Sequence, residues 1–526
     1  MDEIEKYIST TAASKHWEKI GARPHHGVVI PLFALRCQNS SGVGEYLDLF
    51  KVIDWCKDVG FDVVQLLPLN ATGKDPSPYN AISSCALNPL HISLNALEGL
   101  DDNKELKEKL KDFEILNTYQ KVHYLQLKRL KLDFLYEYYK YIFDDLKKDK
   151  DFEKFLRNNS WLEEFALFRT LQEKQNYKTW DKWPEDLQHI DEKNLSKYIE
   201  KYHSDMHFHF ATQYICFKQL SSVKEYADKK NIKILGDVPI LVSKNSSDVW
   251  FNRSMFDLDK AAGAPPDAYS IYGQRWGFPL FNWKNLKDSN YHWWRRRLKT
   301  VENIYHMYRI DHVVGFFRIW SMLKNEPATE GRFFPRDPAL WNKNGRNRLL
   351  MMLHSSKLLP IAEDLGLIPK IVYTTLKELG ICGTKVIPWE TNVFGFVKFQ
   401  NYEPLSITSV STHDSDTFSQ WWEGFPKGST KFAKLKNWHY EPHLTYKQRK
   451  ELLTDAHHTT SLFHINLLQE YLALYPELVW PDIDDERINV PGTMRPSNWT
   501  YRFRPTFEKI MAHDKLKQDI KDIIAG

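Results

Sequence analysis

The chain has 526 residues, 42% of them hydrophobic, with 72 basic and 68 acidic side chains and a net charge of +4. This length and apolar content bury a sizeable core, which excludes a disordered chain, and the near-balanced charge gives no electrostatic case for a nucleic-acid partner. No apolar stretch approaches the ~20 residues of a membrane helix, no signal-type segment opens the chain, and five scattered cysteines lack paired or metal-ligand spacing, so no membrane partner and a cytoplasmic protein with reduced thiols are expected.

In chain order, short and almost continuously apolar runs occur at 27–33, 63–69, 232–240, 308–313, 359–365, 384–389, 407–412 and 487–491. Strands buried on both faces read this way, and they mark a parallel sheet. Helical periodicity separates most of them: over 45–59, Leu47, Phe50, Val52, Ile53 and Trp55 recur on one face before Gly60 ends the run. Right-handed crossovers then wind eight strands into a (β/α)8 TIM barrel.

The largest interruption, 95–230, is rich in Leu, Tyr, Lys and Glu and is expected as a mostly helical inserted subdomain between a first barrel part, 1–94, and the remainder, 231–526. Two further insertions, 243–283 and 324–348, are dense in Gly, Pro and aromatics and read as loops. The composition stands out in its aromatics, 18 Trp, 26 Tyr and 30 Phe, whose flat faces suit pyranose rings as well as a protein core.

Four acidic segments close apolar runs: Gly236-Asp237, Arg309-Ile310-Asp311-His312, Ala362-Glu363-Asp364 and Thr412-His413-Asp414. One strand-terminal Asp is as readily a helix cap or turn residue. Four at successive strand ends, with Arg and His beside them, call for another explanation. Glycosidic-bond chemistry needs one carboxyl kept protonated and one kept ionised. Arg309, two residues before Asp311, shares its side of the strand and holds it ionised, whereas the apolar approach to Glu363 raises its pKa by desolvation. His413 and Asp414 add a neutral donor and a third acid.

The ordered set Gly236-Asp237-Val238-Pro239, Arg309-Ile310-Asp311-His312, Ala362-Glu363-Asp364-Leu365-Gly366 and Thr412-His413-Asp414 resembles the motif series of the 4-α-glucanotransferases, or amylomaltases, of the α-amylase-like clan. Pro76-Ser77-Pro78-Tyr79, Pro265-Pro266-Asp267, Gly273-Gln274 with Trp276-Gly277, and Asn489-Val490-Pro491-Gly492-Thr493 extend the likeness over nearly the whole chain. The resemblance implies a (β/α)8 barrel with insertions and no C-terminal all-β domain. It implies Asp311 as nucleophile, Glu363 as general acid/base and Asp414 as the acid that distorts the donor sugar, with Asp237, Arg309 and His413 in support. Tyr79 would stack on the sugar, and the loop of Asp267, Gln274 and Trp276 would grip the acceptor.

Transfer between α-1,4-glucans or maltooligosaccharides, without metal or organic cofactor, is the implied activity. An α-amylase-type hydrolase and an inactive glucan-binding protein are the alternatives, and oligomeric state stays open. Two positions depart from the family pattern: Ser415 follows the His-Asp pair where many members have Asn, and Lys74-Asp75-Pro76 replaces a Tyr-bearing turn that serves some members as a second glucan contact.

Overall fold

The computed structural model describes residues 2–266 and 270–526. Eight short strands form its centre: β1 (His25–Val29), β2 (Val63–Gln65), β3 (Lys233–Val238), β4 (Met307–Ile310), β5 (Leu359–Ala362), β6 (Gly383–Val386), β7 (Ser406–Ser409) and β8 (Phe463–Leu467). Their spatial order is β5-β4-β3-β2-β1-β8-β7-β6, and the pairings within it are parallel. A bridge between Ile361 and Cys382 joins the two ends, with Ala362 N donating to Cys382 O at 2.7 Å, so the sheet closes into a (β/α)8 barrel. Closure removes the open edges that a parallel sheet would otherwise present.

Seven of the eight strands fall where continuous apolar runs place them. The eighth is a correction: 487–491 is irregular, and the barrel closes through Phe463–Leu467. That strand alternates Phe, Ile and Leu with His464 and Asn466, which are 2% and 0% exposed. Two buried polar side chains interrupt the apolar run from which a strand is recognised. Arg487 instead turns its segment back on itself, Nε donating to Asn489 O at 2.7 Å.

Between β1 and β2 lies helix α1 (Leu49–Val59), which starts four residues later than its periodicity suggests. Glu45 opens a capping box with Asp48, and a 3-10 turn over Tyr46–Asp48 feeds the helix. Gly60 ends it at φ 93°, a left-handed position that a side chain disfavours. The 95–230 segment holds helices α2 (Tyr124–Leu146), α3 (Trp161–Lys174) and the long α4 (Leu195–Lys230), which packs on α2 and α3 and also on α1 beside the barrel.

The two insertions expected as loops are joined through the strand Ile319–Leu323, which lies between them in the chain and pairs with both. Arg332–Phe334, Ile319–Leu323, Lys260–Ala264 and Gln274–Arg275 make a four-stranded antiparallel sheet, in which Ala262 faces Ser321 and Ala264 faces Gln274. Short strands among Gly and Pro carry little pattern of their own, and long-range pairing is what orders them.

At the N-terminal end of β1 and β8, opposite the acidic strand ends, three histidines meet. His26 stacks on His464 at 5.1 Å, His26 Nδ1 lies 2.8 Å from His457 Nδ1, and His457 Nε2 lies 2.6 Å from the Tyr471 hydroxyl. Burial, with His26 as neighbour, pushes His464 down to about 4. Burial likewise pushes His26 down to about 4, against the pull of Asp62, and holds His457 well below the usual range. The unfolded chain therefore takes up these protons first, and the contribution of the cluster is complete above about pH 6.5 and lost as pH falls towards about 4. At about 1.4 kcal/mol per tenfold change in proton affinity, His464 alone accounts for on the order of 3 kcal/mol over that window. A Tm series across it checks this: His464→Gln should lose less Tm between neutral and acid pH than the wild type does.

Candidate active site

Strand register sets the first charges. Asp237 on β3 pairs with Arg309 on β4, so their side chains leave the barrel wall at one level. Arg309 Nη1 donates to Asp237 Oδ1 and Oδ2 at 3.0 and 2.8 Å and to Asp311 Oδ1 at 3.2 Å, while Nη2 stands 3.7 Å from Glu363 Oε2. One guanidinium thus faces three carboxyl groups.

Asp311 follows the last residue of β4, and its Oδ2 accepts from Ile240 N at 3.3 Å. Glu363 follows β5 in the same way; its Oε2 accepts from His312 N at 2.7 Å and Oε1 from Leu365 N at 2.9 Å. His312 sits at φ 44°, a left-handed turn that aims its N–H at Glu363. Backbone strain of this sort persists only where neighbours hold it, and the edge of Trp276 against the His312 ring, 4.9 Å at 88°, supplies such a neighbour.

Asp414 comes from the longer turn after β7. Its Oδ1 accepts from Asn489 Nδ2 at 2.7 Å, and Oδ2 lies 3.3 Å from His413 Nε2. Tyr79 joins the two halves of the site: its hydroxyl donates to Asp237 Oδ2 at 2.8 Å and lies 2.9 Å from His413 Nε2, while its ring stacks on His413 at 5.4 Å and 14°. Tyr79, Arg309, Asp311, Glu363, His413 and Asp414 line a cleft of about 1740 Å³ at the C-terminal end of the barrel, and Asp237 is buried behind them.

Electrostatics separates the acids. Burial raises Glu363 against the pull of Arg309, the nearby Asp311 charge adds to the rise, and the carboxyl titrates at about 7. Burial acts on Asp414 in the same sense, but the charge and hydrogen bond of His413, the Asn489 amide and Arg309 outweigh it and bring Asp414 down to about 2. Asp237 is raised by burial in spite of Arg309, and Arg309 is held well above its ordinary value by Asp237, Tyr79, Asp311 and Glu363 although burial opposes its charge. His312 is pushed down to about 4 by burial and stays neutral. A proton donor and a permanent carboxylate in one cleft are what acid-assisted cleavage at an acetal carbon requires.

The structure brings Tyr79, Asp237, Gln274, Trp276, Arg309, Asp311, Glu363, His413 and Asp414 together; Asp311, Glu363 and Asp414 face the same cleft as Gln274 and Trp276. Gln274 Oε1 accepts from Trp276 Nε1 at 3.1 Å, which orients the indole. Asp267 lies outside the described residues. Ser415 closes the turn that carries Asp414, its Oγ accepting from Thr412 N at 2.9 Å. Lys74 is exposed.

Two partners escape a reading of strand ends. Asn489 holds Asp414, and Trp499 packs 5.5 Å from Tyr79 and 5.9 Å from His413 at a left-handed φ of 65°. The Asn-Val-Pro-Gly-Thr segment signals Asn489, but its assignment as a strand hides the role of the side chain. Trp499 is one aromatic among many, with no local pattern to single it out.

Fold and site together define a (β/α)8 barrel with a cluster of carboxyl groups in the cleft at its C-terminal end. A family model described as 4-alpha-glucanotransferase matches residues 30–508. Relatives of that name include one from Chlamydia pneumoniae, 42% identical over 99% of both chains, and one from Clostridium butyricum, 30% identical over 88% of this chain and 93% of its own. Among solved structures, the amylomaltase from Streptococcus agalactiae in complex with acarbose superposes with a TM-score of 0.79 at 25% identity, covering 95% of this chain and 98% of that one. The chain belongs to the 4-alpha-glucanotransferase family.

Asn489→Ala withdraws one donor from a charged acceptor. It should cut kcat/KM on maltooligosaccharides roughly tenfold or more, with an unchanged Tm, because the side chain braces a cleft carboxylate rather than the core. Steady-state kinetics beside a melting curve checks both parts.

Proposed function

We propose that the protein moves segments of α-1,4-glucans between maltooligosaccharides by a retaining double displacement, with Asp311 as nucleophile, Glu363 as general acid/base and Asp414 as the fixed anion at the donor sugar. The observation that carries this reading is a split between acids of one cleft: Asp311 is held by Arg309, while burial lifts Glu363 to about 7 and His413 and Asn489 bring Asp414 down to about 2.

Asp311 attacks the anomeric carbon while the protonated Glu363 gives its proton to the leaving 4-hydroxyl, and a covalent glucosyl ester forms. Both Glu363 oxygens are steadied by backbone N–H groups, so the carboxyl keeps its orientation through loss and regain of the proton. The deprotonated Glu363 then takes the proton of an incoming 4-hydroxyl, whose oxygen attacks the anomeric carbon as the bond to Asp311 breaks and the carboxylate is released. Positive charge on the sugar grows in each transition state, and the surplus of carboxylates over cations favours it. Asp237 and His413, linked by Tyr79, keep the floor of the donor position rigid. On the acceptor side, Trp276 and its Gln274 partner wall the cleft; water has to be displaced there for a glucan to compete with it.

Incubation with maltotriose tests the reaction: glucose plus a ladder of longer products is expected, and products that only shorten mean hydrolysis. A fluorinated glucosyl fluoride should leave a sugar adduct on Asp311 by peptide mass spectrometry, and an adduct on another residue overturns the assignment. Glu363 must be protonated for the first step, so its rate should fall as pH rises through about 7. Glu363→Gln should abolish that limb along with at least about 10³-fold of the rate, since it removes a positioned acid and base; a pH–rate profile of single-turnover ester formation reads both.

A further inference from the structure

We propose that the lip formed by the hairpin 391–396 and the helix Phe418–Gly424 is an outer platform for long α-1,4-glucan chains, through which the enzyme favours polymeric substrates over short ones. The inference rests on the transfer reading above and extends it away from the reacting sugar.

Three rings build the lip. Phe396 packs edge-on to Trp421 at 6.3 Å and to Phe432 at 5.2 Å, and Trp421 meets Phe425 at 6.3 Å. Phe396, Trp421 and Phe425 all line the cleft that holds Asp311 and Glu363, together with Asn392, Lys427 and Lys431. Beyond them the apolar surface continues into water: Phe425 is 53% exposed, Val393 93% and Phe394 96%.

This exposure is built, not frayed. Thr391 pairs with Phe396 and Asn392 with Gly395, Asn392 Oδ1 accepts from Phe394 N at 2.8 Å, and Gly395 adopts φ +117°, which an L side chain rarely takes. The turn therefore presents two apolar side chains to solvent with no internal partner in reach of the core. Such an apolar projection normally marks a surface that another molecule covers.

The occupant follows from continuity with the cleft. At about 1740 Å³ the cleft exceeds the ~300–1,000 Å³ of small-molecule pockets, so it suits a chain rather than one or two sugars. Rings spaced along its rim, with an amide and two ammonium groups between them, match a glucan, whose units offer an apolar face bordered by hydroxyls. The lip borders the same continuous cleft as Asp311 and Glu363, so a chain that fills the cleft reaches it.

The test compares Phe394→Ser and Phe425→Ala in the full-length enzyme, both exposed positions that leave the Phe396–Trp421–Phe432 packing in place. The readout is the ratio of kcat/KM for amylose or glycogen to that for maltotriose. We expect the ratio to fall about tenfold in the double variant, the scale of lost aromatic contacts, through a raised KM for the polymer. An unchanged ratio, whether both rates hold or both fall together, overturns the platform. Retardation in native gels containing amylose, in an Asp311→Asn background, gives a binding readout independent of turnover; retardation that persists in the lip variants also overturns it. If the wild type makes no ladder from maltotriose, the transfer reading fails by itself, and the gel still decides whether the lip binds glucan.

Discussion

The ion cluster around Arg309 is the constraint on which the site depends. Burying a guanidinium is costly, and burying several carboxylates without one is costlier still. Here the cation faces Asp237, Asp311 and Glu363 at once, and each of these sits at a strand end whose position the barrel register dictates. Asp237 stays within β3, Asp311 lies one residue past β4 and Glu363 one residue past β5, so three adjacent strands deliver the three acids to one point. The parallel sheet is then more than a scaffold. Its closure between β5 and β6 fixes the strand that carries Glu363, and with it the reach from Arg309.

The same cluster explains why chemically similar acids differ. Glu363 and Asp414 are both drawn up by desolvation, and their neighbours decide the outcome. Glu363 has an adjacent anion in Asp311 and shares its cation with two other carboxyls. Asp414 has the His413 ring and the Asn489 amide against it, with Arg309 adding to their pull. One is left able to carry a proton near neutrality and the other is not, from geometry a few ångströms apart.

How much of this the sequence reveals depends on what each element is made of. Leu359–Ala362 is wholly apolar because both of its faces are buried, and a run of this kind reads directly as a strand. The closing strand does not, because His464 and Asn466 place hydrogen-bonding groups in the barrel floor, Asn466 Oδ1 accepting from Val410 N at 2.8 Å. Arg309 and Asp311 are legible from alternation alone, since residues two apart on a strand share a side. Tyr79, Asn489 and Trp499 reach the acids from segments distant in the chain, and no local period encodes such a meeting. The four-stranded sheet of the insertions is hidden for the same reason: its strands are two to five residues long and pair across loops.

Transfer and hydrolysis differ only in which oxygen reaches the anomeric carbon, so the acids cannot choose between them. The choice belongs to the walls. Trp276 is wedged against His312, the residue between Asp311 and the rest of the β4 turn, and the His312 backbone also holds Glu363. On the proposed reading, with Glu363 as acid/base and the indole on the acceptor side, a sugar settling on Trp276 would press on the same turn that orients Glu363, whereas water would not. Trp276 and Glu363 meet through one strained residue, and that contact would give the fold a physical route to favour a glucan over solvent at the second step.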